Sequence, residues 1–130
     1  LWIDKLEETY PNVEVIEDSN MPVGQKGLYI NGTILLNKNQ SYIEKRCTLA
    51  EELGHHETTY GDIVYSDVIV NRKLEIIARR WGYKKLIPKD TLQEAYNKNF
   101  IYYYEMAEYL DVTEEFLHEC IKYYNLKNGS

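Results

Sequence analysis

The chain is poor in several things at once. Among its 130 residues there are only two cysteines, three prolines, three histidines, two phenylalanines and two tryptophans. Cys47 and Cys120 lie far apart, outside any metal-type spacing and on apolar helical positions, so they read as buried reduced thiols rather than a disulfide framework. No run of 18 apolar residues exists, and no charged-then-apolar leader opens the sequence, so the expectation is a soluble, non-secreted, cytoplasmic protein without a membrane partner. Positive charge is also scarce, and a net charge of -6 argues against a protein whose main task is gripping nucleic acid, which needs clustered Lys and Arg.

What is present is a hydrophobic fraction of 44%, enough at this length for one core, and the expectation is a single domain over residues 1–130. Tyrosine is abundant at 13 residues, including the run Tyr102, Tyr103 and Tyr104, and suits the margins of a small core, where the ring packs and the hydroxyl meets water or a partner. The charge is uneven. Residues 71–89 carry seven basic side chains against one acid, Glu75, and stand at +6 while the remainder stands at -12. Such a basic stripe either pairs with acidic helices packed around it or meets an acidic partner.

In chain order, Trp2, Ile3 and Leu6 at helical spacing predict a short docking helix ended by Pro11, and Val13 to Ile16 reads as a brief strand. Pro22, Gly24 and Gly27 mark a loop. Asn31-Gly32 between two apolar runs is a hairpin signal, because both residues adopt positive φ easily, so the first 40 residues read as a helix plus a small antiparallel sheet. Ser41 with Glu44 forms a capping box that starts a central helix running to about residue 57. Its buried stripe is expected along Ile43, Cys47, Ala50 and Gly54, widened by Leu49 and Leu53, with Glu51 and His55 at the stripe's edge, Glu52 further round and His56 on the far flank. A third helix is predicted over 67–86 with Leu74, Ile77, Ala78 and Trp81 inward, completing an active-site section over 41–88. Helices over 91–98, 102–110 and 113–125 follow as a C-terminal section, 89–126, with the break at Asp111-Val112-Thr113 supplying caps. The whole reads as α+β: a small sheet packed on a helical, zincin-like core with a C-terminal helical hairpin.

The chemistry sits in Leu49-Ala50-Glu51-Glu52-Leu53-Gly54-His55-His56. A catalytic zinc site needs three side-chain ligands and an open position. Glu51 and His55, four apart on a helix, supply two on one face, and Glu75 on the next helix is the natural third once the chain turns at Gly61. Glu52 then occupies the place of the general base in the pattern H-E-x-x-H, although position 51 is Glu rather than His. Two carboxylates and one imidazole make a harder donor set than two imidazoles and one carboxylate, so Mn²⁺ or Fe²⁺ could compete with Zn²⁺. A stabiliser for the reacting carbonyl could come from His56, Tyr60, Tyr65 or Arg79, and Asp62 is a further candidate; the residues do not choose among them. The register Glu52 with His56 also satisfies the spacing but makes Glu52 a ligand and leaves no base. A mixed-charge helix whose acids face the basic third helix would show the same residues without metal. The strand over 33–36, directly before this helix, could pair a substrate peptide.

Over nearly its whole length the chain resembles the ImmA/IrrE family of metallopeptidases, in particular short phage and mobile-element members of Gram-positive bacteria. The likeness rests on the segment 49–56, with Thr58, Thr59, Gly61 and Asp62 after it, then on Asn71-Arg72-Lys73 leading to Glu75, Ala78 and Trp81 and closing at Leu86-Ile87-Pro88. The ending from Glu105 to Leu117 is similar too. The resemblance implies a zinc-dependent endopeptidase of the gluzincin kind, with His55 and Glu75 as ligands, Glu52 as base and Glu51 where the family usually has its first histidine. It also implies a target: the helix-turn-helix repressor of a phage or mobile element, which the protein would cleave or, as a non-catalytic anti-repressor, only bind. Ala107, Leu110, Val112 and Thr113 look like the start of a DNA-reading helix-turn-helix. From Ile101 onward, however, six acids face two lysines, and a net charge of -4 would repel phosphate. This part reads instead as a helical hairpin that packs on the domain or grips the repressor.

Overall fold

A computed structural model describes residues 6–58 and 68–127, without the side chains of 6, 7, 68–71, 126 and 127. Within these bounds the chain runs α1 (Leu6–Thr9), β1 (Glu14–Asp18), β2 (Gly27–Ile30), β3 (Thr33–Asn37), α2 (Tyr42–Thr58), α3 (Val68–Leu86), α4 (Lys89–Asn97), α5 (Tyr103–Leu110) and α6 (Glu114–Lys127). The fold is α+β. Trp2 and Ile3 of the expected first helix lie outside the described residues.

The hairpin forms as its turn chemistry requires, with Asn31 at φ 44° and Gly32 at φ 87°. The sheet is nevertheless mixed rather than antiparallel. Its order is β1-β3-β2, and β1 pairs with β3 in parallel, from Glu14 opposite Thr33 to Asp18 opposite Asn37. The cause is the loop over 19–26, which carries the chain across so that β3 returns between its two neighbours. Side chains hold that crossover: Asn37 donates through Nδ2 to the Gln25 carbonyl at 2.8 Å, and Gln40 through Nε2 to the Lys26 carbonyl at 2.9 Å. As the central strand, β3 has no free edge to offer a peptide, which corrects the expectation placed on residues 33–36. Among the described residues, the free edge beside α2 belongs to β2.

α2 begins at the capping box, with Glu44 N–H donating to Ser41 Oγ at 3.1 Å and Ser41 N–H to Glu44 Oε1 at 3.1 Å. The helix then divides the core. Leu49 and Leu53 join Val13, Ile34 and Leu36 under the sheet. Cys47 and Ala50 join Tyr83, Leu86, Met106, Leu117 and others beneath the C-terminal helices. Fully burying a side chain such as Leu49 or Ile34 stabilises by about 2 kcal/mol. Both cysteines are free and buried.

α3 packs on α2 through small residues. A Cβ at Gly54 would collide with the Ala78 carbonyl, and one at Gly82 would come within 3.3 Å of the Ala50 carbonyl. That close approach rotates α3 away from the expected inner face. Glu75, Ala78 and Gly82 form the line toward α2, whereas Ile77, expected inside, is 46% exposed. The basic stripe makes ring contacts as well as ion pairs. Arg79 meets carboxylates, but Arg80 lies over the Tyr123 ring at 5.5 Å and Lys85 over the Tyr10 ring at 5.6 Å.

The last two helices pack as a hairpin on the domain. Thr113 Oγ1 accepts the Phe116 N–H at 3.1 Å at the start of α6, and Arg46 Nη1 reaches from α2 to the Asp111 carbonyl at 2.7 Å. Leu117 and Cys120 of α6 are fully buried, so this helix belongs to the core. None of the described helices is long and apolar enough to cross a membrane.

Candidate metal centre

The spacing of α2 and the close approach of α3 together put His55 against Glu75. Their Nε2 and Oε1 atoms are 3.0 Å apart. The contact is a hydrogen bond, and ligand atoms at about 2.0–2.1 Å around a tetrahedral zinc stand roughly 3.3 Å from one another, so a cation shared by this pair would take the place of the proton between them. His55 is only 8% exposed. Burial pulls its imidazole pKa down, but the Glu75 hydrogen bond and the charges of Glu75, Glu52 and Glu51 more than reverse this, and the net direction is up. The same bond, with the His55 charge and Arg79, holds the Glu75 carboxyl below its usual range despite partial burial.

Glu51 lies one turn before His55. Its Oε1 accepts from Arg79 Nε at 3.0 Å, its side chain is also hydrogen-bonded to that of Glu75, and its charge contributes to the field at Glu52 and His55. Arg79 Nη2 stands 4.0 Å from Glu75 Oε2. Of the further candidates, Arg79 is thus in the cluster as a partner of the two carboxylates, while Tyr60, Asp62 and Tyr65 lie outside the described residues.

Glu52 departs from its expected place. Rather than sitting further round from the buried stripe, it is 8% exposed and lies under β2. The absence of a side chain at Gly27 makes this possible: a Cβ there would come to 2.6 Å from Thr48 Cγ2 and 3.3 Å from Glu52 Cγ. Glu52 Oε2 is buried and has no hydrogen-bond partner among the described residues. Burial pushes its carboxyl up to about 7, with His55 opposing and Glu51 and Glu75 adding to the rise. A buried carboxylate oxygen left without a donor costs stability, so its retention asks for a chemical reason.

His56 faces the hairpin. Gly32 N–H donates to the Tyr29 hydroxyl oxygen at 3.0 Å, and that hydroxyl is hydrogen-bonded to His56 Nδ1 at 2.8 Å. Tyr29 therefore pins the turn of β2 and β3 to α2. Its only signal in the sequence is the alternation that puts residues 27 and 29 on one strand face.

Among the described residues, no group of three His, Cys, Asp or Glu side chains already stands in a metal-holding arrangement. The residues present still fit a divalent cation. His55 and Glu75 are in contact, Glu51 meets both Arg79 and Glu75, and one imidazole with two carboxylates is a donor set that suits such an ion. A bare carboxylate beneath β2 stands next to them.

These features define a small α+β protein built around a carboxylate–imidazole centre with one unsatisfied acid. The family model described as Peptidase_M78, IrrE N-terminal-like domain, matches residues 9–122, and the chain belongs to that family. Membership supports a metallopeptidase-type function and implies a metal cofactor. No curated protein matches the chain.

Proposed function

We propose that the protein is a zinc-dependent endopeptidase that cleaves the helix-turn-helix repressor of a phage or mobile element in the cytoplasm. The observation that carries this reading is Glu52, buried beside the His55–Glu75 pair, with Oε2 unpartnered among the described residues and its carboxyl pushed up to about 7. A structural glutamate would be expected to find a donor or remain in solvent. A general base needs a free lone pair and a pKa near the working pH.

In this reading His55, Glu75 and Glu51 would hold the cation, with Mn²⁺ or Fe²⁺ as alternatives to Zn²⁺. The cation supplies Lewis acidity to a peptide carbonyl and to water. Glu52 takes a proton from that water and returns it to the leaving amine. Arg79 neutralises part of the surplus negative charge that Glu51 brings in place of a neutral imidazole. β2 offers its free edge to an extended substrate segment, which would lie over Gly27 and Glu52. No direct nucleic-acid binding is part of this function.

A second reading keeps the cleft and drops the reaction. The ion pair between Arg79 and Glu51 favours it, since a guanidinium can stand in for part of a metal's charge and leave a non-catalytic anti-repressor. Zinc-loaded protein incubated with the repressor encoded beside it separates the two. Two fragments from the wild type and none from Glu52→Gln establish the peptidase, whereas derepression by Glu52→Gln equal to wild type establishes binding alone.

A further inference from the structure

A cavity of about 360 Å³ opens beside the candidate centre and runs from α2 and α3 to the start of α6. It is lined by Glu51 and Arg79 of the proposed centre, by Lys26, the residue before β2, and by Glu115 and Glu119 of α6. Tyr83 and Phe116 also line it, edge to face with ring centroids 5.3 Å apart.

The charges of this cavity do not cancel. Four carboxylates and two cations line it, a balance of two negative charges. Arg79 is bonded to Glu51, and Lys26 attracts Glu44. Glu115 and Glu119 are the remainder, and neither has an ion pair among the described residues. They are four apart on α6 and line the same wall, where like charges repel at a cost of a few tenths of a kcal/mol. A cavity with two aromatic rings and two exposed carboxylates in its lining suits a long side chain with an apolar stem and a cationic head.

We propose that this cavity is the subsite that receives a lysine or arginine side chain of the polypeptide substrate, an inference that rests on the peptidase reading above. A segment laid along β2 drops that side chain past Thr48, its methylenes lie on Tyr83 and Phe116, and its head reaches Glu115 and Glu119. The site then selects substrates with a basic residue close to the bond cut.

The test is a titration of the ¹⁵N-labelled full chain with Nα-acetylarginine amide, and with Nα-acetylnorleucine amide as the uncharged comparison. The arginine probe is expected to shift the amides of Thr48, Tyr83 and Phe116 saturably. Its affinity should fall about fivefold in Glu115→Gln/Glu119→Gln, the size appropriate to two exposed acids. Glu119→Gln alone keeps the test valid should the double variant fold poorly. Equal shifts with norleucine amide, or none that saturate with arginine, overturn the subsite. Cleavage of a peptide library by zinc-loaded protein then separates the two ideas. Cutting with no preference for Lys or Arg near the bond also overturns the subsite, whereas no cutting alongside intact arginine binding overturns the peptidase reading and leaves the cavity's preference standing.

Discussion

Arg79 donates its Nε–H to Glu51 Oε1 at 3.0 Å while its Nη2 stands 4.0 Å from Glu75 Oε2, so one guanidinium faces both carboxylates of the proposed centre. A cation in that position competes with a metal for the same negative charge. Its side chain is 54% exposed, and water weakens the competition. Arg79→Leu should therefore tighten zinc binding by about fivefold, the equivalent of roughly 1 kcal/mol, in a competition with a chromogenic chelator. In a Glu51→His background the same change should have a smaller effect, because the carboxylate that Arg79 compensates is gone. Equal effects in both backgrounds would mean that Glu51 takes no part in holding the metal.

Glu52 makes a prediction about stability that needs no substrate. Its carboxyl stands at about 7 in the folded protein against an ordinary 4.5, so the folded state holds a proton that the unfolded chain has released. Stability of the metal-free protein should fall as pH rises from about 4.5 to about 7 and then level off, with a total loss on the order of 3 kcal/mol from this group. Glu52→Gln should remove that slope and be the more stable protein at pH 7.5, while losing hydrolysis of the repressor. Urea unfolding at pH 5 and pH 7.5 in chelator measures both proteins, and parallel slopes would sink the assignment of a strained, buried acid.

Much of this arrangement is legible in the sequence because it depends on local rules. The capping box at Ser41 and Glu44, the Asn31-Gly32 turn and the caps around Thr113 need only neighbours in the chain, and each forms as its chemistry requires. The line of His55 with Glu51 follows from helical periodicity alone. What is not legible depends on how elements meet. Nothing in residues 13–37 states which edge of the hairpin β1 joins, so the mixed sheet and its free β2 edge are invisible there. The contact of Gly54 with Ala78 decides the face of α3, and apolar spacing misplaces Ile77 for that reason. Glu52 reads as a flank residue because its burial comes from β2, whose approach over Gly27 is a tertiary fact.

The His55–Glu75 pair carries its own pH signature in the absence of metal. The histidine's raised pKa means that its contribution is complete below its ordinary 6.5 and fades as pH climbs through the higher folded value. The glutamate's lowered pKa means that its share is present above its ordinary 4.5 and fades as pH drops through the depressed one. The pair is therefore most stabilising between those limits. Glu75→Gln should cost the metal-free protein most between the ordinary values of 4.5 and 6.5 and progressively less as pH climbs through the raised histidine value, as read from urea midpoints, and should weaken zinc binding by about 100-fold. A cost that is flat with pH would show that the 3.0 Å contact is not an ion pair in solution.

Gly54 tests whether the centre depends on the distance between α2 and α3. A methyl group there would collide with the backbone carbonyl of Ala78, which cannot move without shifting its helix. Gly54→Ala raises helix propensity by about 1 kcal/mol and would stabilise an isolated α2. Overpacking at a backbone contact costs up to about 3 kcal/mol and should win. The substitution is expected to lower the thermal midpoint and to weaken zinc binding together, because Glu75 lies one turn before Ala78 and is carried away from His55 as the helices separate. Gly82→Ala meets a looser neighbour, the Ala50 carbonyl at 3.3 Å, and should show the same two effects at smaller size. Loss of thermal stability with zinc affinity intact would place the metal elsewhere than between these helices.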